Sequence, residues 1–383
     1  MSVTFPKGFL ASGVRAQIKS SGNQDLALVV NEGPLFASAA VFTLNKVKAA
    51  PVLWTQEIMK TAQVKAVILN SGGANACTGP AGFADTHRTA EEVARLLGIA
   101  PINVAVCSTG LIGTRLPMEK LLSGCQNAAT QLSPDGGEDA SLAIMTTDSI
   151  PKTCELSIGG FKIGGMAKGA GMLAPGLATM LVCITTDAEV ESSEIDSILK
   201  AAVDVSFNRI DSDGCMSTND TVLLLANGAS GIKPEKDVFE QALTEVCKDL
   251  ARQLIGDAEG STKDIHIKVL NAANDADGLE VARAVSRSNL LKCAIHGEDP
   301  NWGRVLAAAG TTSATFNPDF VNVALNGVWV CKNGMTGEDR DLVKMKERVV
   351  TIEIDLNAGE SNVEIWTNDL TAMYVHENSS YSS

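Results

Sequence analysis

Residues 164–187 read GGMAKGAGMLAPGLATMLVCITTD, a glycine-rich, apolar and almost uncharged loop that runs into a β-branched stretch. The glycines and Pro175 specify an irregular backbone, and the run after Ala178 reads as a strand beginning at Thr179. Lys168 is the one charge between Lys162 and Asp187. A threonine hydroxyl is a poor nucleophile at neutral pH unless a base lies beside it. If the peptide bond before Thr179 breaks, its new α-amine, with a pKa near ~8, sits two bonds from the Cβ that bears the hydroxyl and can act as that base. The hydroxyl would attack the carbonyl of Ala178, shift the acyl group to oxygen and let water release it. Taken alone, the segment is also that of an ordinary turn before a buried strand.

Around this segment, strand-like runs alternate with helical ones throughout the chain, which predicts a mixed α/β (α+β) fold. Residues 66–70 and 104–108 are short apolar runs, each ending in a glycine-rich turn, NSGGANACTG and STGLIG. Buried strands that deliver loops to a site have this pattern. From 234 to 255, Phe239, Leu243, Val246, Cys247, Leu250 and Leu254 fall on one helical face, with Pro234 near the start and Gly256 just past the end. The C-terminal third is richer in strands. Residues 321–325 and 328–331 flank Asn326-Gly327, a hairpin signal, and 349–355 and 362–366 alternate apolar and polar side chains.

The chain has 383 residues and a net charge of -14, enough length for one large or two fused units and no basic cluster to neutralise phosphates. Nucleic acid is therefore not an expected partner. No apolar run approaches the ~18–20 residues of a membrane span, and the opening MSVTFPKGFLAS lacks the pattern of a signal peptide. A cytoplasmic enzyme of small metabolites is expected. The nine cysteines are scattered with no CxxC pair, which reads as buried reduced thiols. The four histidines, His87, His266, His296 and His376, share no ligand-like spacing, so no metal site is expected.

Read together, the ordered motifs point further. The run AKGAGMLAPGLATMLVCITTDA closely resembles the cleavage segment of the ornithine acetyltransferase (glutamate N-acetyltransferase) family. The resemblance extends over essentially the whole chain: PKGFLASG (6–13), NSGGANACTG (70–79), CSTGLIG (107–113), IMTTD (144–148), DGCMSTNDTV (213–222), DAEGSTK (257–263), DPNWGRVLAAAG (299–310) and ENSSYSS (377–383). It implies a self-processing threonine-nucleophile acetyltransferase fold. A precursor cut between Ala178 and Thr179 would give an α chain, 1–178, and a β chain, 179–383, intertwined and associated as an α2β2 heterotetramer.

The resemblance also assigns roles. Thr179 is the nucleophile, and Thr109 with Gly110 forms the oxyanion hole; read locally, Ser108–Gly110 merely turns the chain after a buried strand. Lys168, eleven residues before Thr179, matches a substrate-binding lysine whose ammonium can pair a carboxylate. Thr146 matches another substrate contact, with Thr147 the adjacent alternative. Glu259 matches a residue that binds the substrate's amino-acid portion, and Asn378 and the last residue, Ser383, match the family's C-terminal substrate contacts. His296 and Arg304 are read as structural. The chain departs from the pattern at Gly73, where many members carry asparagine.

The implied reaction moves the acetyl group of N-acetyl-L-ornithine to L-glutamate through acetyl-Thr179, with ping-pong kinetics. It needs no cofactor, and acetyl-CoA is an alternative donor that no residue here selects or rejects. Two rivals are a related self-processing amidase or aminopeptidase that passes the acyl group to water, and a non-enzymatic binding module on the same fold.

Overall fold

A computed structural model describes residues 1–174 and 180–380; Pro175, Gly176, Leu177, Ala178, Thr179, Tyr381, Ser382 and Ser383 lie outside the described residues. The chain divides into two compact units. One is formed by Met1–Asn208 and Cys215–Leu254, the other by Arg209–Gly214 and residues 255–380.

The described strands of the first unit are β1 (Phe9–Val14), β2 (Leu26–Asn31), β3 (Ala37–Phe42), β4 (Ala66–Ser71), β5 (Val104–Thr109), β6 (Lys152–Ile158), β7 (Phe161–Lys168), β8 (Leu181–Thr186) and β9 (Thr221–Ala226). They form two sheets, β1-β2-β4-β5 and β3-β9-β8-β7-β6. Successive side chains on a strand point to opposite faces, and here both faces are apolar. Ala27, Val29, Val67, Leu69, Ala105 and Cys107 of the first sheet meet Met166, Leu181, Cys183, Leu223 and Leu225 of the second in one buried cluster. The alternate residues Leu26, Leu28, Ile68, Val104 and Val106 turn outward beneath helices Gly79–Leu97 and Met118–Thr130. On the second sheet, Phe161 packs against Phe239 at 5.9 Å, and Gly165 leaves room for Val246 and Leu250 of helix Lys236–Gly256. The first unit is thus layered helix, sheet, sheet, helix.

In the second unit, β10 (Asp264–Ala272), β11 (Asn322–Leu325), β12 (Val328–Lys332), β13 (Met335–Thr336), β14 (Val349–Asp355) and β15 (Ser361–Asn368) form one sheet in the order β13-β12-β11-β14-β10-β15. Ile265, Ile267, Val269, Ile352 and Ile354 pack one face against Val281, Val285, Leu291, Ile295 and Val305 of three helices. The other face is polar: His266 stacks on Trp366 at 4.0 Å and reaches Glu364 at 2.8 Å.

The mixed α/β class predicted by the sequence is what the chain adopts, and the expected strands appear as β4, β5, β14 and β15. Asn326 and Gly327 both take positive φ, 46° and 82°, as a two-residue hairpin turn demands. Three details differ. The helix expected over 234–255 runs from Lys236 to Gly256, so its glycine is the last helical residue, not the one after it. The strand expected to begin at Thr179 is described from Leu181, and its predicted first residue lies outside the described residues. Cysteine burial is incomplete: Cys107, Cys125, Cys183, Cys247 and Cys331 are buried, whereas Cys77, Cys215 and Cys293 are exposed on loops or helix surfaces. Among the described residues no helix is long and apolar enough to cross a membrane.

Candidate active site

The first unit places Thr109 and Lys168 at strand ends in the layer between the two sheets. Thr109 follows Ala105 and Cys107 at period two, so its side chain enters that layer at the end of β5. Lys168 follows Met166 in the same way at the end of β7. The two meet: the Lys168 ammonium donates to Thr109 Oγ1 at 3.1 Å, and each residue is 1% exposed. A hydroxyl that accepts from an ammonium keeps its own O–H proton for another acceptor.

Gly110 continues the strand end with φ +127°, and a Cβ there would lie 2.6 Å from Gly73 N and 2.7 Å from the Gly72 carbonyl carbon. Only glycine fits such a backbone in such a space. The close approach arises because the Gly72 and Gly73 amides both donate to the Thr109 carbonyl, at 2.9 and 3.0 Å, while Ala74 donates to Leu111. Asn70 and Asn219 brace this pair of loops. Asn70 accepts from Ser108 Oγ at 2.5 Å and donates to the Gly73 carbonyl at 3.0 Å; Asn219 donates to the carbonyls of Ala74 and Ser108 at 2.6 and 2.8 Å. At the Gly73 departure, a Cβ would meet Leu116 Cδ2 at 2.7 Å, so Leu116 occupies the space a side chain would take.

Thr146 is half-buried and tied to Asp148, whose Oδ2 accepts from the Thr146 amide at 2.9 Å. Asp148 also pairs with Lys152 at 2.6 Å, both side chains fully buried, and accepts from the Gly169 amide, next to Lys168, at 2.6 Å. Burial opposes a charge on Asp148, yet Lys168, Lys152 and the Thr146 amide outweigh it and hold the carboxyl down at about 2. Lys19 lies over Gly72 and donates to the carbonyls of Gln24 and Met145. Burial lowers its pKa to about 8, with Lys168 adding to the effect and Asp25 and Asp148 opposing it. Two cysteines share the layer, but burial pushes the Cys107 thiol up and that of Cys183 to about 12, so neither supplies a thiolate.

In the second unit, Glu259 is 8% exposed and accepts from Asn378 Nδ2 at 2.9 Å. The loop carrying Glu259 lies hard against helix Ala372–Ser380: Thr371 Oγ1 donates to the Gly260 carbonyl at 2.7 Å, and a Cβ at Gly260 would sit 2.4 Å from Tyr374 N. His296 and Arg304, read as structural, hold backbone and loops. His296 Nδ1 lies 2.9 Å from Asp369, and Arg304 donates to the Leu290 carbonyl at 2.6 Å.

The structure therefore joins Thr109, Gly110, Lys168 and the Thr146 loop in one unit, and Glu259 with Asn378 in the other; Ala178, Thr179 and Ser383 lie outside the described residues. Asp148, Lys152, Asn70, Asn219 and Lys19 are additions that motif reading did not single out. The signal for two of them was present, since Asp148 closes IMTTD and Lys152 follows four residues later.

Comparison with known proteins agrees with the motifs. The family model described as "ArgJ family" matches residues 10–383. The arginine biosynthesis bifunctional protein ArgJ of Streptomyces coelicolor is 63% identical over 383 residues, covering all of both chains. The protein of the same name from Thermobifida fusca is 57% identical, again over the whole of both. Among solved structures, ornithine acetyltransferase from Mycobacterium tuberculosis, complexed with ornithine, matches at 58% identity with a TM-score of 0.45, covering 47% of this chain and 96% of that one. With full-length identity of this order and a family match across residues 10–383, this chain belongs to the ArgJ family.

Proposed function

We propose that this chain is an acyltransferase of arginine biosynthesis that moves the acetyl group of N-acetyl-L-ornithine to L-glutamate. Membership of the ArgJ family supports the reaction class, and the buried Lys168–Thr109 contact is the observation that carries the mechanism. Thr179, freed by cleavage after Ala178, attacks the acetyl carbonyl while its α-amine takes the hydroxyl proton. The Thr109 hydroxyl and the Gly110 amide receive the developing oxyanion. Because Thr109 Oγ1 already accepts from a cation, its outgoing O–H is polarised toward that charge. Ornithine leaves, acetyl-Thr179 remains, and glutamate accepts the acetyl group in the second half-reaction.

In this reading Lys168 holds the substrate carboxylate and the Thr146 loop lines the site. Glu259 contacts the amino-acid portion, and Asn378 and Ser383 are C-terminal substrate contacts. The reaction needs no resident cofactor, and no residue selects or rejects acetyl-CoA as a second donor. The cut yields an α chain, 1–178, and a β chain, 179–383, that assemble as an α2β2 heterotetramer in the cytoplasm. The sheet supports their staying together: β7 pairs with β8 from Ile163↔Thr186 to Lys168↔Leu181, so the strands on either side of the cut are hydrogen-bonded neighbours. Breaking one peptide bond leaves that ladder whole.

Initial-velocity measurements with N-acetyl-L-ornithine and L-glutamate test the reading. Parallel double-reciprocal lines are expected of a covalent intermediate, and intersecting lines would contradict it. Release of acetate at the same rate with and without glutamate would instead mark a hydrolase.

A further inference from the structure

Asp220, in the DGCMSTNDTV motif just before β9, is fully buried. Its Oδ1 accepts from the Met180 amide at 3.0 Å. The Met180 carbonyl in turn accepts from the Thr221 amide at 3.2 Å, and β8 then runs parallel to β9 from Leu181↔Thr221. The backbone of Asp220 is fixed as well, because its carbonyl accepts from the Thr43 amide at 3.0 Å. Both polar groups of residue 180 are thus held from the neighbouring strand, one of them by a side chain.

Such an arrangement is costly unless it achieves something. The other carboxyl oxygen, Oδ2, is buried and has no hydrogen-bond partner among the described residues. Leaving a buried polar atom unsatisfied costs free energy. Burial drives the Asp220 pKa well above the usual carboxylate range, with the Met180 hydrogen bond, the Lys168 charge and the Ser217 and Thr43 side chains opposing it. Asp220 serves here as a hydrogen-bond acceptor, and the nitrogen it holds belongs to the peptide bond between residues 179 and 180.

We propose that Asp220 is a positioning residue that sets the strand head for both self-cleavage and acetyl transfer by fixing the amide immediately after Thr179. This rests on the reading of Thr179 as nucleophile. Placement matters at this scale, since a shift of about 1 Å in a reacting group can cost about 10²-fold in rate. The amide of asparagine is close in shape to the carboxyl and keeps an oxygen for the Met180 amide. Leucine has similar bulk and no acceptor.

The test compares wild type, Asp220→Asn and Asp220→Leu. The readouts are the rate at which freshly synthesised chain converts to two fragments, the kcat and KM of the processed enzyme, and the unfolding midpoint. Asp220→Leu is expected to be folded, to cut about 10²-fold more slowly and to lose kcat with KM unchanged. Asp220→Asn is expected to restore both rates. A folded Asp220→Leu protein that cuts and turns over like wild type would overturn the proposal, as would Asp220→Asn failing as badly as Asp220→Leu. Should the leucine variant not fold, Asp220→Ala is the second variant without an acceptor and is judged by the same outcomes. A wild-type chain that neither cuts nor transfers acetyl would overturn the Thr179 reading itself.

Discussion

Lys168 and Thr109 lie 59 residues apart in sequence, at the ends of strands in two different sheets, yet the ammonium of one donates to the hydroxyl of the other at 3.1 Å. Period-two alternation accounts for the meeting. Met166 and Cys107 carry the same faces into the apolar interlayer, and the next residue on each of those faces is polar. The contact sits where the interlayer changes from hydrocarbon to hydrogen-bonding groups, and that change makes a site out of two strand ends.

Removing the Thr109 hydroxyl tests its part directly. Thr109→Val keeps the shape but has no donor, and kcat for acetyl transfer should fall by about 10²–10³-fold with a smaller change in KM. Thr109→Ser should retain most of the activity. A valine variant with wild-type kcat would remove Thr109 from the oxyanion hole.

Acid should weaken the Asp148–Lys152 pair. The folded carboxyl titrates at about 2 against an ordinary 3.8, so its contribution to stability is complete above about pH 4 and is lost as pH falls toward 2. That shift corresponds to about 2 kcal/mol. Asp148→Asn takes the carboxylate from a fully buried ammonium and should destabilise by about 3–5 kcal/mol at neutral pH. Urea unfolding at about pH 6 and about pH 3 should show the gap between variant and wild type narrowing on acidification. A constant gap would count against the depressed carboxyl.

Gly110 should tolerate nothing larger. In Gly110→Ala the φ of +127° adds about 1–3 kcal/mol of backbone strain, and the new Cβ meets the Gly72–Gly73 backbone, which cannot swing aside as a side chain can. Both the unfolding midpoint and acetyl transfer should fall. An alanine variant with unchanged midpoint and rate would mean the turn relaxes freely.

Breaking the Glu259–Asn378 bond should act through binding. Asn378→Ala removes the donor to Glu259 at the end of helix Ala372–Ser380, and KM for N-acetyl-L-ornithine should rise by more than kcat falls. Limited proteolysis should also trim the C-terminal residues faster than in wild type. Unchanged KM would separate the helix from substrate binding.

The strands that carry the site were legible because β4 and β5 are short apolar runs closed by glycine turns, and Lys168 stood out as a lone charge in a neutral segment. The roles came from motifs rather than from local pattern: by local sequence Thr109 is a turn residue and Glu259 an ordinary acid after a helix. What stayed hidden depends on packing. Lys168 with Thr109, and Asp220 with Met180, are pairings that exist only once two sheets stack or two strands run parallel. The compact units were hidden for the same reason, since the first unit draws on strands from both sides of residue 179.

The most direct measurement is intact-mass spectrometry of the purified protein before and after incubation with N-acetyl-L-ornithine in the absence of glutamate. Two fragments are expected, 1–178 and 179–383, with the second gaining the mass of one acetyl group on Thr179 and losing it when glutamate is added. A single uncut chain, or a second fragment whose mass never changes, would contradict it.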